Sequence, residues 1–130
     1  MLDQIAQVRA AGAQGIVTGG LTARRLIDES RVAELIQAAR PLPFTFHRAL
    51  DECADLPAAL ETLIRLGVDR VLTSTQIGEL VIQAAGRIII VAGGGINADN
   101  AARIVQETAV QEIHFSVKDA QKVRDVLESL

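Results

Sequence analysis

Two histidines, one cysteine, an arginine and a few hydroxyl and glycine positions carry most of the chemistry this sequence can offer. His47 and Arg48 stand together at the end of the apolar segment Pro43-Phe44-Thr45-Phe46, with Asp51 and Cys53 just beyond. Thr73-Ser74, Gly93-Gly94-Gly95 with Asn97, and His114 to Ser116 follow three further apolar segments. A pair of imidazoles, His47 and His114, could ligate copper or act as acid and base, or each could simply bond to backbone. Arg48 either pairs with Asp51 to order a loop or takes an anion with its two-pronged guanidinium. Cys53 reads as a soft metal ligand or as a small buried filler. The glycine triplet lets backbone N–H groups approach an anion before a helix, or serves a turn that only glycine can make. Thr18, Thr73, Ser74 and Ser116 line a site in one reading; in the other, such hydroxyls cap helices and satisfy strand ends.

The elements that position these residues follow from hydrophobic spacing. Leu2, Ile5 and Val8 recur at helical intervals up to Gly12, and Gly15 to Thr18 reads as a strand. Asp28 or Ser30 caps a second helix with Val32, Leu35 and Ile36 on one face, closed by Pro41 and Pro43. After the strand Pro43 to His47, a third helix starts at Asp55-Leu56-Pro57 and ends at Gly67. Val68 to Ser74 is the next strand, and Gln76 to Ala85 a short helix weakened by Gly78. The unbroken aliphatic run Arg87 to Ala92 predicts a strand buried on both faces. Asn97 or Asp99 should cap a helix through Glu107, Glu112 to Ser116 a last strand, and Lys118 to Leu130 a final helix with Val123, Val126 and Leu127 inward.

Five strands alternating with helices specify an α/β fold of five parallel βα units in one domain. An echo at an offset of 55 residues, Gly12 to Gly19 over Gly67 to Ser74, supports a repeated βα plan. With 130 residues, 49% hydrophobic and 22% charged, the chain has material for one core and is not disordered. The net charge is −3 with scattered cations, and aromatic content is 2%, which argues against nucleic acid and anionic membranes as partners. No apolar run could span a bilayer, Met1 is not followed by a signal core, and the single cysteine suits a reducing cytoplasm.

Leu42 to Asp51 and Leu66 to Ser74 closely resemble signature segments of the copper homeostasis protein CutC family. Ile88 to Asn97 and Glu112 to Ser116 resemble two later segments of that family, in the same order and at nearly the same spacing. The resemblance implies derivation from a TIM (βα)8 barrel about twice this length, entered just before its fourth strand. It implies two shortenings, one in the helix after Ser74 and one after Ser116. It also implies that the family's cysteine pair proposed for copper, with acidic and arginine residues of the barrel mouth, lies outside this sequence.

Three functions follow as expectations. One is copper homeostasis or copper binding, impaired without the remaining strands, with Cys53, His47 and His114 as the metal candidates. Another is an anion- or phosphate-binding barrel enzyme or its remnant. There His47, Arg48 and His114 are catalytic candidates, and Arg48, Thr73, Ser74, Gly93, Gly94, Gly95, Asn97 and Ser116 hold the ligand. A third is an engineered or reconstructed fragment with no chemistry; on balance the sequence favours a protein that is not an enzyme. An open five-stranded partial barrel would expose strand edges. The fold is therefore expected either to be completed by self-association into a homo-oligomer or to flatten into a flavodoxin-like doubly wound sheet, the second slightly favoured.

Overall fold

Capping and breaking residues set most boundaries in the computed structural model, which describes residues 1–130. Helix α1 (Leu2–Ala10) leads through Gly12, at φ +93°, to strand β1 (Ile16–Thr18). Asp28 accepts a hydrogen bond from the Arg31 N–H and so starts α2 (Glu29–Ala39), and β2 (Phe44–Phe46) follows the two prolines. Asp55 caps α3 (Leu56–Leu66) at the Ala58 N–H, and Gly67, left-handed at φ +85°, ends it before β3 (Arg70–Thr73). Then come α4 (Ile77–Ala84), β4 (Ile89–Ala92), α5 (Ala101–Thr108), β5 (Glu112–Ile113) and α6 (Ala120–Ser129), the last capped by Asp119.

All five strands are parallel and lie in chain order, β1-β2-β3-β4-β5. Each helix packs on the next in sequence, from α1 through α6. This is the barrel arrangement. A doubly wound sheet would reorder its strands and divide its helices between two faces, so the flavodoxin-like alternative does not hold. The register puts Ile16, Phe44, Phe46, Val71, Ile90 and Ala92 on the helix-covered face, where they join Leu35, Leu60, Leu63 and Leu80 in one core. The other face carries Val17, Thr45, Arg70, Leu72, Ile89, Val91 and Glu112. Across it the Arg70 Nε donates to both carboxylate oxygens of Glu112, at 3.1 and 2.9 Å, reaching over β4. No helix is long and apolar enough to cross a membrane.

Several local expectations are corrected. The turn Arg48–Glu52 winds into a 3₁₀ helix that hydrophobic spacing did not reveal, and Leu21 bridges Ile27 in a small antiparallel contact. Helix α5 starts after Asn100, not after Asn97 or Asp99; Asn97 instead accepts from the Asp99 N–H in an Asx-type turn. Leu127 is exposed, because α6 lies at the end of the helix row with a neighbour only on the α5 side. Helix α4 is short for a backbone reason: Gln76 before it and Ala85 after it are both left-handed, at φ +49° and +47°. Such residues without glycine's freedom cost roughly 1 kcal/mol each.

At the opposite end of the sheet, Asp69 ties β3 to β2. Its Oδ2 accepts from the Arg40 guanidinium and from the Phe44 N–H, both at 2.7 Å, and Arg40 also donates to the Gly67 carbonyl at 2.7 Å. Burial alone would raise the Asp69 pKa, but the Arg40 and Phe44 hydrogen bonds outweigh it and hold the carboxyl below its ordinary value. A lowered folded-state pKa gives stability that is present above the unfolded value, about 3.9, and lost as pH falls through the folded one. Asp69→Ala should cost roughly 1–2 kcal/mol in urea unfolding, since it strips a part-buried N–H of its partner. The gap between wild type and Asp69→Asn should be constant near neutrality and close below about pH 4; a gap unchanged at pH 2.5 would show that the clamp is not electrostatic.

Candidate functional site

The C-terminal ends of the strands are where βα-barrels place their chemistry, because the loops there connect to helix N-termini. At the end of β2 the 3₁₀ turn brings Asp51 back over the sheet. The Thr73 hydroxyl donates to Asp51 Oδ1 at 2.5 Å, the Ser74 hydroxyl to Oδ2 at 2.6 Å, and the Ser74 N–H to both oxygens at 3.3 and 3.1 Å. Thr73 is completely buried, so its hydroxyl needs this acceptor. Arg48 lies alongside, its Nε 3.5 Å from Asp51 Oδ2 and its Nη2 donating to the Ser74 hydroxyl oxygen at 3.3 Å.

The glycine triplet meets this group from β4. The Gly93 N–H donates to the Thr73 carbonyl at 2.9 Å, and a Cβ on Gly93 would stand 2.7 Å from Leu72 Cδ1. Gly94 and Gly95 are left-handed, at φ +86° and +69°. A Cβ on Gly94 would fall 2.9 Å from Ser74 Cβ and 3.1 Å from Arg48 Cζ, whereas one on Gly95 would meet nothing within 4 Å. The space beside Gly94 therefore belongs to Arg48 and Ser74. Asn97 takes part only in the local turn: its N–H donates to the Asn100 side chain, which in turn donates to the Gly95 carbonyl.

The remaining candidates stay apart. His47 accepts from the Ala49 N–H through Nδ1 at 3.3 Å and sits edge-on to Phe46, so one imidazole nitrogen is already engaged. His114 is exposed beyond β5; two strands separate it from His47, about 14 Å of sheet at ordinary strand spacing. Ser116 is exposed past that strand, and Thr18 donates to the Met1 sulfur at 3.3 Å at the β1 edge. Cys53 faces a cavity of about 150 Å³ lined by Ile27, Glu29 and the start of α3. Burial, then the charges of Glu52 and Asp51, push its thiol pKa up, against the thiolate a metal would need. No three His, Cys, Asp or Glu side chains are grouped to hold a metal ion, and Cys53, His47 and His114 are not brought together into one group.

Asp51 as the centre of the cluster was hidden from sequence reasoning, which paired it with Arg48 alone. The signal was present in the hydroxyl pair Thr73-Ser74, but only the adjacency of β2 and β3 connects the two segments.

A family model described as the CutC family matches residues 1–119. A CutC family protein of Pasteurella multocida is 51% identical over 128 residues, covering 91% of this chain and 52% of the relative. One of Bacteroides thetaiotaomicron is 46% identical over 132 residues, covering 94% and 53%. The chain thus spans about half the length of the curated relatives it matches. Among solved structures, a Streptococcus agalactiae protein named for copper homeostasis, CutC, superposes with a TM-score of 0.83 at 30% identity, over 88% of this chain and 61% of that one. A structure described as native KDPGal gives a TM-score of 0.70 at 15% identity, over 99% and 64%, a likeness of fold alone.

The packing around the triplet separates its members. Gly95→Ala should cost about 1 kcal/mol, the price of a left-handed alanine in open space. Gly94→Ala should cost clearly more, because it adds a clash with Ser74 and Arg48 to the same backbone strain. Equal losses in chemical denaturation would mean that Arg48 is not packed on Gly94.

Proposed function

The chain belongs to the CutC family, and we propose that it serves copper homeostasis in the cytoplasm as a barrel-type protein binding a small anion at its strand ends, without a copper site of its own. The observation that carries this reading is a contrast. Arg48, Asp51, Thr73 and Ser74 form one hydrogen-bonded group at the strand ends, while Cys53, His47 and His114 remain separate. The Streptococcus agalactiae relative is named as a copper homeostasis protein. Tight Cu(I) binding takes at least two soft ligands, and the only sulfur besides Cys53 is Met1, placed against Thr18.

The test is a competition titration with a Cu(I) chelator on the full chain, run beside thermal melts in inorganic phosphate. We expect no tight stoichiometric copper and a saturable rise in melting temperature. One tight Cu(I) per chain, lost in Cys53→Ser, would overturn the first half; a phosphate response no different from general salting would overturn the second.

A second reading, self-association, rests on where apolar surface is left open. Of nine exposed large apolar side chains, Met1, Leu2 and Val8 precede β1, Val17 lies in it, and Val117, Leu127 and Leu130 follow β5. A groove of about 370 Å³ runs along the β1 edge between Ile5, Val8 and Val17. Unpaired parallel edges beside apolar surface favour pairing between copies. Light scattering should give a mass above 13.9 kDa that rises with concentration and falls in Val17→Lys. A monomer at every concentration would exclude it.

A further inference from the structure

We propose that Arg48 is the anchor of an oxyanion site at the strand ends, and that Asp51 is a positioning residue which holds Arg48 through Ser74. The proposal rests on the reading of the strand ends as the ligand-binding end, and it names the group that takes the ligand and the ligand's chemistry. Four arginines bridge distant segments of the fold. Arg40, Arg65, Arg70 and Arg87 each meet a carboxylate from a distant part of the chain at 2.6 to 2.9 Å, the range of a close charge-assisted bond. Arg48 does not. Its carboxylate neighbour stands at 3.5 Å because Asp51 has turned its oxygens to the hydroxyls of Thr73 and Ser74 and to the Ser74 N–H.

The Ser74 proton is committed to Asp51, so its oxygen faces Arg48 as an acceptor. That bond, with the longer one from Nε to Asp51 Oδ2 at 3.5 Å, holds the guanidinium along its Nε–Nη2 edge while leaving both Nη1 hydrogens and one Nη2 hydrogen without a partner in the chain. Half of the side chain, 52%, is open to solvent, and its Cζ and Nη2 lie 3.1 and 3.2 Å from where a Cβ on Gly94 would stand, so a side chain there would displace it. The free Nη1–Nη2 edge presents two parallel N–H donors, the pattern that matches two oxygens of a carboxylate or a phosphate. The Gly94 and Gly95 N–H groups nearby also lack partners within the chain. The site is therefore assigned to a small oxyanion of that chemistry, and the probes below separate carboxylate from phosphate.

The experiment titrates the full chain with inorganic phosphate and, separately, with malonate, following melting temperature and the Arg48 Nε–H signal by NMR. At least one probe should give a saturable rise in melting temperature together with a saturable shift of that signal. Arg48→Ala, an exposed position whose loss leaves the core intact, should raise the half-saturating concentration about ten-fold or more, and Arg48→Lys should restore only part of it. Asp51→Asn should weaken binding several-fold and broaden the Nε–H signal in the ligand-free protein, an effect a purely structural aspartate would not produce at a folded, ordered Arg48. If neither probe gives a saturable response, the anion reading of the strand ends fails, and this proposal with it. If a saturable response survives undiminished in Arg48→Ala while the circular dichroism spectrum shows the native fold, the strand ends bind anions but Arg48 is not the anchor. If Arg48→Ala abolishes the response and Asp51→Asn leaves both affinity and the Nε–H signal unchanged, the positioning role of Asp51 is wrong.

Discussion

The seam between β2 and β3 is pinned at both ends by a carboxylate reaching across it, and the organisation of the strand ends depends on that seam. At one end Asp69, just before β3, accepts from the first N–H of β2 and from Arg40. At the other, Asp51, just after β2, accepts from the last hydroxyl of β3 and from Ser74. Only two residue pairs, Thr45 with Arg70 and Phe46 with Val71, form the ladder between these strands, so few backbone bonds define the register. A slip by one residue would turn Phe44 and Phe46, both fully buried, to the wrong face. The two aspartates oppose such a slip because each bonds a specific backbone N–H on or beside the neighbouring strand.

The same seam explains what could be read from the sequence. Helices α2 and α3 were legible almost to the residue because Asp28, Asp55, Gly67 and the prolines act locally, through bonds to N–H groups three residues away or through backbone geometry. Parallel pairing of five strands followed from the alternation of strand and helix, but strand order, and with it the choice between a barrel and a doubly wound sheet, did not, since both are built from identical βα units. The 3₁₀ turn escaped notice because its stabilising partner, β3, lies more than twenty residues away. The site was half legible for the same reason: Arg48, Thr73, Ser74 and Gly94 were singled out by type, while the carboxylate that gathers them is recognised only once β2 and β3 are neighbours.

Why the histidines and the cysteine do not join this group is a matter of strand arithmetic. Side chains at the ends of adjacent strands can touch, but each further strand adds about 4.8 Å. Asp51 serves β2 and β3, and Gly94, two residues past β4, closes against both Ser74 and Arg48, so the ends of three consecutive strands share one cluster. His114, one strand further, finds no partner there, and Cys53 leaves the strand ends altogether for the helix layer. Its thiol sits near Glu52 and Asp51, whose charges oppose the thiolate.

The face of the sheet without helices is not uniformly in need of cover. Leu72 and Val91 on that face are only 8% and 7% exposed, although no helix lies over them. The Arg70 to Glu112 pair crosses β4 on this face, and the side chains of such pairs lay their apolar stems over neighbouring residues. Side chains about one-third exposed are not fully desolvated, so the pair avoids most of the cost of a buried one and gains correspondingly little from its attraction. On the β1 side no charged pair performs this service, and Val17 stands 64% exposed beside a free strand edge. Apolar area and unpaired backbone coincide at that edge, so adding a parallel strand there would satisfy both at once. The β3 to β5 portion, which holds Ser74 and the glycine triplet, already screens its own face with the pair over β4. Cover for β1 and the chemistry of the strand ends are therefore separable demands on the same sheet.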